Sequence, residues 1–186
     1  FNYHHSKAVS SGTDAVTNLV ASLYEFGAKR GDEVIVPALS FIATANAVLA
    51  AGFTPVFVDV ERETMNINPD KIEAAITNKT RAILAVHTMG RPCDMDKINS
   101  IAKEHDLKVF EDACEAHGAK YKGRYVGKLS DGAAFSFYVA HLVSCGEGGM
   151  VSTDNKVVAE SVHSTRTHGR RDGEVYFEFD RIGFNS

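Results

Sequence analysis

The sequence has 186 residues, 44% of them hydrophobic and only four of them proline, which is enough for one domain with a full buried core. Its formal net charge of −4, with acids and bases interspersed, leaves no basic face and argues against nucleic acid or an anionic membrane surface as a partner. No apolar run is long enough to span a membrane and no basic and apolar leader opens the chain, while Cys93, Cys114 and Cys145 lack the spacing of a zinc site or a disulfide framework. The expectation is a cytoplasmic protein with reduced thiols and no metal.

In chain order, Ala8-Val9 leads into Ser10-Ser-Gly-Thr-Asp14, and Val16, Leu19, Val20, Leu23 and Phe26 then recur at helical spacing until Gly27. This is a turn feeding a helix N-terminus, with Ser11 or Thr13 as the cap. It reads either as a plain capping turn or as a phosphate seat built from first-turn amides and hydroxyls. Glu33 to Pro37 predicts a buried strand, Ser40 to about Ala51 a helix, Thr54 to Val60 a strand and Asp70 to Ala75 a helix. A strand at Thr80 to Val86, a helix at Met95 to His105 and a strand at Leu107 to Phe110 follow. Ala133 to Val139 predicts another buried strand, Met150 to Thr153 the next, and Lys156 to Ser164 a helix after the Asn155 turn. Strands and helices alternating at this pace predict an α/β fold of three αβα layers around a mostly parallel sheet, with ligands gathered beyond the strands' carboxyl ends.

Chemistry-bearing residues fall at those ends: Phe41 after EVIVP, His87 after AILAV, Glu111 and Asp112 after LKVF, and Ser136 within the strand that leads to His141. Two adjacent acids followed by Cys114-Glu115-Ala-His117 read as capping residues or as a ligand site. Gly146, Gly148 and Gly149 allow a backbone to approach a ligand closely. The stretch Thr165 to Asp172 is basic and reads either as a solvated loop or as a seat for phosphate or carboxylate. Aromatic residues return between Phe177 and Phe184.

Six stretches in order carry a family resemblance: SSGTDA at 10–15, GDEVIVPALSFIATANAV at 31–48, EDACEAHGA at 111–119, SFY…H…GEGGM at 136–150, RTHG at 166–169 and IGFNS at 182–186. The chain is similar to the large domain of fold-type I pyridoxal-phosphate enzymes, specifically the sugar-nucleotide aminotransferases named after DegT and StrS. The resemblance implies a cofactor-binding large domain over 1–186, incomplete at both ends and without its small C-terminal domain. It implies pyridoxal or pyridoxamine 5'-phosphate as cofactor, with Gly12, Thr13 and Ser136 at the phosphate, Phe41 stacked on the ring and Asp112 paired with the pyridine nitrogen. Glu115 stands where many relatives have a glutamine near the ring substituents. Asn185 matches an asparagine that reaches the neighbouring subunit's cofactor, which implies a homodimer with shared active sites.

The departure is His141, five residues after Ser136, where the family's aminotransferases carry the lysine that binds the cofactor covalently. A branch of the family with this replacement comprises 3-dehydratases of nucleotide-linked 4-keto-6-deoxy sugars, in which histidine acts as acid and base; imidazole chemistry suits proton transfer near neutral pH. Three readings follow from the resemblance: a dehydratase of this kind, an aminotransferase-type member acting on a 4-keto sugar, and a cofactor-binding or scaffolding fragment without activity.

Overall fold

The computed structural model describes residues 2–170 and 178–186. Nine strands are present among them: β1 His5–Val9, β2 Glu33–Pro37, β3 Thr54–Val58, β4 Thr80–Val86, β5 Lys108–Asp112, β6 Lys120–Tyr121, β7 Arg124–Tyr125, β8 Gly132–Ser136 and β9 Gly149–Thr153. The four α-helices are α1 Gly12–Ala21, α2 Ile42–Ala50, α3 Met95–Glu104 and α4 Lys156–Thr165. Seven strands form one sheet in the order β1-β9-β8-β5-β4-β2-β3, and β6 and β7 make a separate hairpin. From β8 to β3 all neighbours run parallel, whereas β9 is antiparallel to both β8 and β1. The ends of β1, β8, β5, β4 and β2 therefore share one carboxyl edge, and β9 starts from it.

The parallel strands are apolar on both faces because both are covered. Val34, Val36, Leu84, Phe110, Ala134 and Val151 pack with α1, α2 and α4 on one side. Ile35, Ile83, Ala85, Val109, Ala133 and Phe135 pack with α3 on the other. Among the described residues no helix is long and apolar enough to cross a membrane.

Most predicted elements are present, with α1 extended by a 3-10 turn at Ser22–Phe26 and closed by Gly27 at φ 83°. Three expectations are corrected. The helix expected at 70–75 is two 3-10 turns, Pro69–Lys71 and Glu73–Ala75, because the backbone turns extended at Ile76 after too few residues for an α-helix. The strand expected to reach Val139 stops at Ser136, and the one expected to reach Val60 stops at Val58. Arg171, Asp172 and Phe177, which belong to the basic and aromatic stretches of the sequence, lie outside the described residues.

Alternation along β5 separates the paired acids. Glu111 points to the α3 side and Asp112 to the α1 and α2 side, as successive strand residues must. Glu111 and His87 are each 0% exposed and hydrogen-bonded at 3.0 Å. The Glu111 carboxylate also accepts from the Gly127 amide (2.6 Å), the Leu129 amide (3.0 Å) and the Ser130 hydroxyl (2.8 Å). His87 Nδ1 accepts from the Cys93 amide at 3.0 Å, so a neutral ring carries its proton on Nε2 and donates it to Glu111. These two residues are therefore an internal strut between β4, β5 and the segment after β7, and not the ligand-facing groups their place in the sequence suggested.

His117 faces a cavity of about 300 Å³ lined by Tyr3, Ser6, Phe135, Phe137, Met150 and Ser152, among others. Neither ring nitrogen has solvent contact or a hydrogen-bond partner among the described residues, and the ring lies 5.5 Å from Phe135 and 5.7 Å from Phe137. Burial, and secondarily the charge on His141, hold its pKa below the usual histidine value.

Two outcomes test this core. Glu111→Gln places a side-chain donor among four donors and should cost about 3 kcal/mol of unfolding free energy; a loss under about 1 kcal/mol in denaturant titration contradicts the strut. For His117, the unfolded chain takes up a proton first as pH falls below about 6.5, so folding stability declines there, while above that pH both states are neutral. Wild type should thus lose more stability than His117→Phe between about pH 7.5 and 5.5, and equal losses contradict the assignment.

Candidate active site

At the carboxyl edge, β1 turns into α1 through Ser10 and Ser11. Ser11 is the N-cap, its hydroxyl accepting from the Asp14 amide at 3.1 Å, while the Ser10 hydroxyl bonds the Asp14 carboxylate. The Gly12 and Thr13 amides, as first-turn groups, have no acceptor within the helix and stand at its positive end.

Two glycines let the backbone close here. A Cβ on Gly12 would lie 2.5 Å from Ser136 Cβ, 2.7 Å from Ser136 Oγ and 3.2 Å from Cys114 Sγ. A Cβ on Gly149 would lie 2.0 Å from the Ser11 carbonyl oxygen and 2.9 Å from the Gly12 nitrogen. The start of α1 thus rests directly on the end of β8 and the start of β9. Ser136 lies beneath Gly12, only 4% exposed, and its hydroxyl accepts from the Tyr138 amide at 3.3 Å.

Asp112 ends β5 beside this seat. Its Oδ2 accepts from the Thr44 hydroxyl at 3.0 Å and its Oδ1 from the Cys114 amide at 3.3 Å. Thr44, in the first turn of α2, is in turn hydrogen-bonded to the Ser40 hydroxyl at 2.7 Å. The carboxylate is therefore oriented by two donors. Burial and the neighbouring Asp112 charge push the Cys114 thiol well above its usual pKa, so that it stays a neutral thiol. Phe41, at the N-cap position of α2, is 77% exposed and presents a bare ring at the same edge.

Glu115 is exposed, and its Oε2 accepts from the Met89 amide at 2.6 Å, tying the turn after β4 to the loop after β5. His141 lies in the 137–148 connection from β8 to β9. Its amide donates to the Tyr138 carbonyl at 3.0 Å and its ring meets the Tyr138 ring edge-on at 6.0 Å. No lysine occurs anywhere between Ser136 and Met150. Asn185 is exposed in the 182–186 segment, where a single antiparallel bridge joins it to Thr167 just after α4.

The structure therefore gathers Gly12, Thr13, Ser136 and Asp112 at one end of the sheet, with Phe41, Glu115 and His141 on loops leaving the same edge. Asn185 lies in the 182–186 segment beside the end of α4. Thr44 and Gly149 were missed in the sequence: Thr44 sits one helical turn after Ser40, and Gly149 was noted only as part of a glycine run. Among the described residues no group of three or more His, Cys, Asp or Glu is placed to hold a metal ion.

The model of the DegT/DnrJ/EryC1/StrS aminotransferase family matches residues 1–186. GDP-perosamine synthase of Escherichia coli O157:H7 is 44% identical over 97% of this chain and 49% of its own length. The dTDP-4-dehydro-2,6-dideoxy-D-glucose 3-dehydratase of Saccharopolyspora spinosa is 44% identical over 91% of this chain and 38% of its own. Among solved structures, E. coli GDP-4-keto-6-deoxy-D-mannose-3-dehydratase with bound hydrated PLP superposes with a TM-score of 0.89 at 31% identity, covering 98% of this chain and 52% of that one. The chain spans about half the length of the curated relatives it matches. On these grounds, the chain belongs to the DegT/DnrJ/EryC1/StrS aminotransferase family.

Proposed function

We propose that this chain provides the cofactor-binding half of an enzyme that removes the C3 hydroxyl of a nucleotide-linked 4-keto-6-deoxy sugar, using pyridoxamine or pyridoxal 5'-phosphate and His141 as acid and base. The observation that carries the reading is His141 itself, an imidazole five residues beyond Ser136 in a connection that contains no lysine. Relatives named as 3-dehydratases in both comparisons support it.

The residues present fit the cofactor. The Gly12 and Thr13 amides at the positive end of α1 bind the phosphate, the Thr13 hydroxyl adds a donor, and Ser136 supports the seat from beneath. A side chain at position 12 would fill that seat, which the 2.5 Å approach to Ser136 forbids. Phe41 offers an aromatic face to the ring. Asp112, oriented by Thr44 and the Cys114 amide, pairs with the pyridine nitrogen and keeps it protonated. Glu115 fixes the turn at Met89 after β4 and would lie near the ring substituents. The bound cofactor supplies an amine for the sugar ketone and a ring that accepts an electron pair.

His141 supplies proton transfer. Unable to bond the cofactor covalently, its imidazole would take a proton as base from the pyridoxamine methylene carbon and give it as acid to the C3 hydroxyl, which leaves as water; the electron pair of the opened C–H bond would replace that lost with the C3–O bond, and the pyridoxamine would end at the oxidised, pyridoxal level. A lysine at this position would serve the aminotransferase reading instead, because it returns the cofactor to a covalent resting state.

Exposed apolar side chains stand at Phe41, Ile42, Met89 and Leu142 on the segments leaving this edge and at Ile182 and Phe184 in the 182–186 segment. We assign this surface to a second copy of the chain, which brings Asn185 of one subunit toward the phosphate seat of the other and excludes water from the site. The enzyme is then a dimer with shared sites, in the cytoplasm where nucleotide sugars are made.

The test supplies a nucleotide-linked 4-keto-6-deoxy sugar with pyridoxamine 5'-phosphate to the whole protein. A 3-deoxy sugar is the expected product, and an amino sugar without deoxygenation supports the aminotransferase reading instead. His141→Asn should lower turnover by about 10²- to 10⁴-fold while cofactor affinity changes by less than about twofold. Turnover at the wild-type rate in that variant removes His141 from the chemistry.

A further inference from the structure

The end of α4 and the segment carrying Asn185 are locked together by glycine. Gly169 adopts φ 82°, and a Cβ there would lie 1.8 Å from the Arg181 carbonyl oxygen; a Cβ on Gly183 would lie 2.3 Å from the Thr165 carbonyl oxygen. Backbone hydrogen bonds stitch the two segments: Phe184 to Thr165 (2.8 Å), His168 to Phe184 (3.0 Å) and Ser186 to Arg166 (3.2 Å). The result is a clasp of 165–170 and 179–186 with no room between its two segments.

This clasp is fastened to the phosphate seat at two places. Arg166, at the C-cap of α4, donates through Nη1 to the Ala8 carbonyl at 2.6 Å. Ala8 lies in edge strand β1, three residues before the Ser11 cap of α1. In α1 itself, Asn18 is 7% exposed and joins three elements: its Oδ1 accepts from the Thr165 hydroxyl at 2.5 Å, and its Nδ2 donates to the Asp14 carbonyl at 2.8 Å and to the Ser186 hydroxyl at 3.3 Å. Asp14 is the residue whose amide Ser11 caps. One fastening therefore sets both the shape of the seat and the position of the segment that presents Asn185.

We infer that Arg166, with Asn18, is a positioning residue that holds the phosphate seat and the Asn185 segment as one unit, so that loosening it weakens phosphate recognition and self-association together. The inference rests on the reading that the seat takes the cofactor phosphate. Arg166 touches neither the seat's amides nor its hydroxyls, and acts through the Ala8 carbonyl. Its Nε is buried without a partner among the described residues, so the Nη1 bond to Ala8 is what anchors the guanidinium. A lysine reaching the same carbonyl would keep the donor and discard the stranded one.

The test compares the binding of pyridoxamine 5'-phosphate with that of pyridoxamine, which lacks the phosphate, in wild type, Arg166→Met and Arg166→Lys, with the monomer–dimer constant measured by sedimentation. In Arg166→Met the preference for the phosphorylated ligand should fall by about tenfold, the loss of one charge-assisted hydrogen bond, while pyridoxamine affinity stays unchanged. Self-association should weaken in the same variant, and Arg166→Lys should recover most of both. Arg166→Met overturns the inference if it keeps the wild-type preference and self-association, or if it loses affinity for both ligands equally, which is general loosening. A wild-type protein with no preference for the phosphorylated ligand instead defeats the reading of the seat itself, and the inference with it.

Discussion

The close approach of Gly12 to Ser136 and of Gly149 to the Ser11 carbonyl is the contact on which the site depends. Side chains at positions 12 and 149 would overlap neighbouring atoms by an ångström or more, so the start of α1 can sit on the ends of β8 and β9 only if both residues are glycine. With the helix in that place, its unpaired amides open onto the same edge where Asp112 ends β5 and Phe41 caps α2. A parallel sheet already collects its strand ends there, and the antiparallel β9 adds to that edge a strand that begins instead of ending.

Burial then sorts the polar residues at that edge. Glu111 and Asp112 are neighbours in sequence, yet one is sealed against His87 and three further donors while the other is held at the edge by Thr44 and the Cys114 amide. A buried carboxylate needs a full set of donors, and the backbone after β7 supplies it. Asp112, 7% exposed, has two donors where Glu111 has four. A comparable division separates the histidines: His87 is internal, His117 faces a cavity that shares no residue with the phosphate seat, and His141 stands on the connection leaving the seat.

Much of this was legible in the sequence, because local pattern decides it. The helical spacing after Ser10, the EVIVP and TRAILAV runs and the Asn155 cap gave their elements to within a few residues. Strand alternation could also have separated Glu111 from Asp112, since successive residues face opposite ways. The hidden parts depend on partners far along the chain. β1 is short, lies on the edge and alternates polar with apolar residues, so HSKAV does not announce a strand. The antiparallel direction of β9 is set by how the 137–148 connection crosses the edge. Arg166 meets Ala8 across 158 positions, a distance that no spacing rule spans.

The central claim is that the seat holds its cofactor without a covalent bond because His141 stands at the lysine position. Borohydride reduction of the protein incubated with pyridoxal 5'-phosphate, followed by peptide mass spectrometry, tests it directly, with His141→Lys as the comparison. The account predicts no phosphopyridoxyl group in the wild-type active-site peptides and a group on residue 141 in the variant. A phosphopyridoxyl group on a lysine of the wild-type site, with normal turnover, would contradict it.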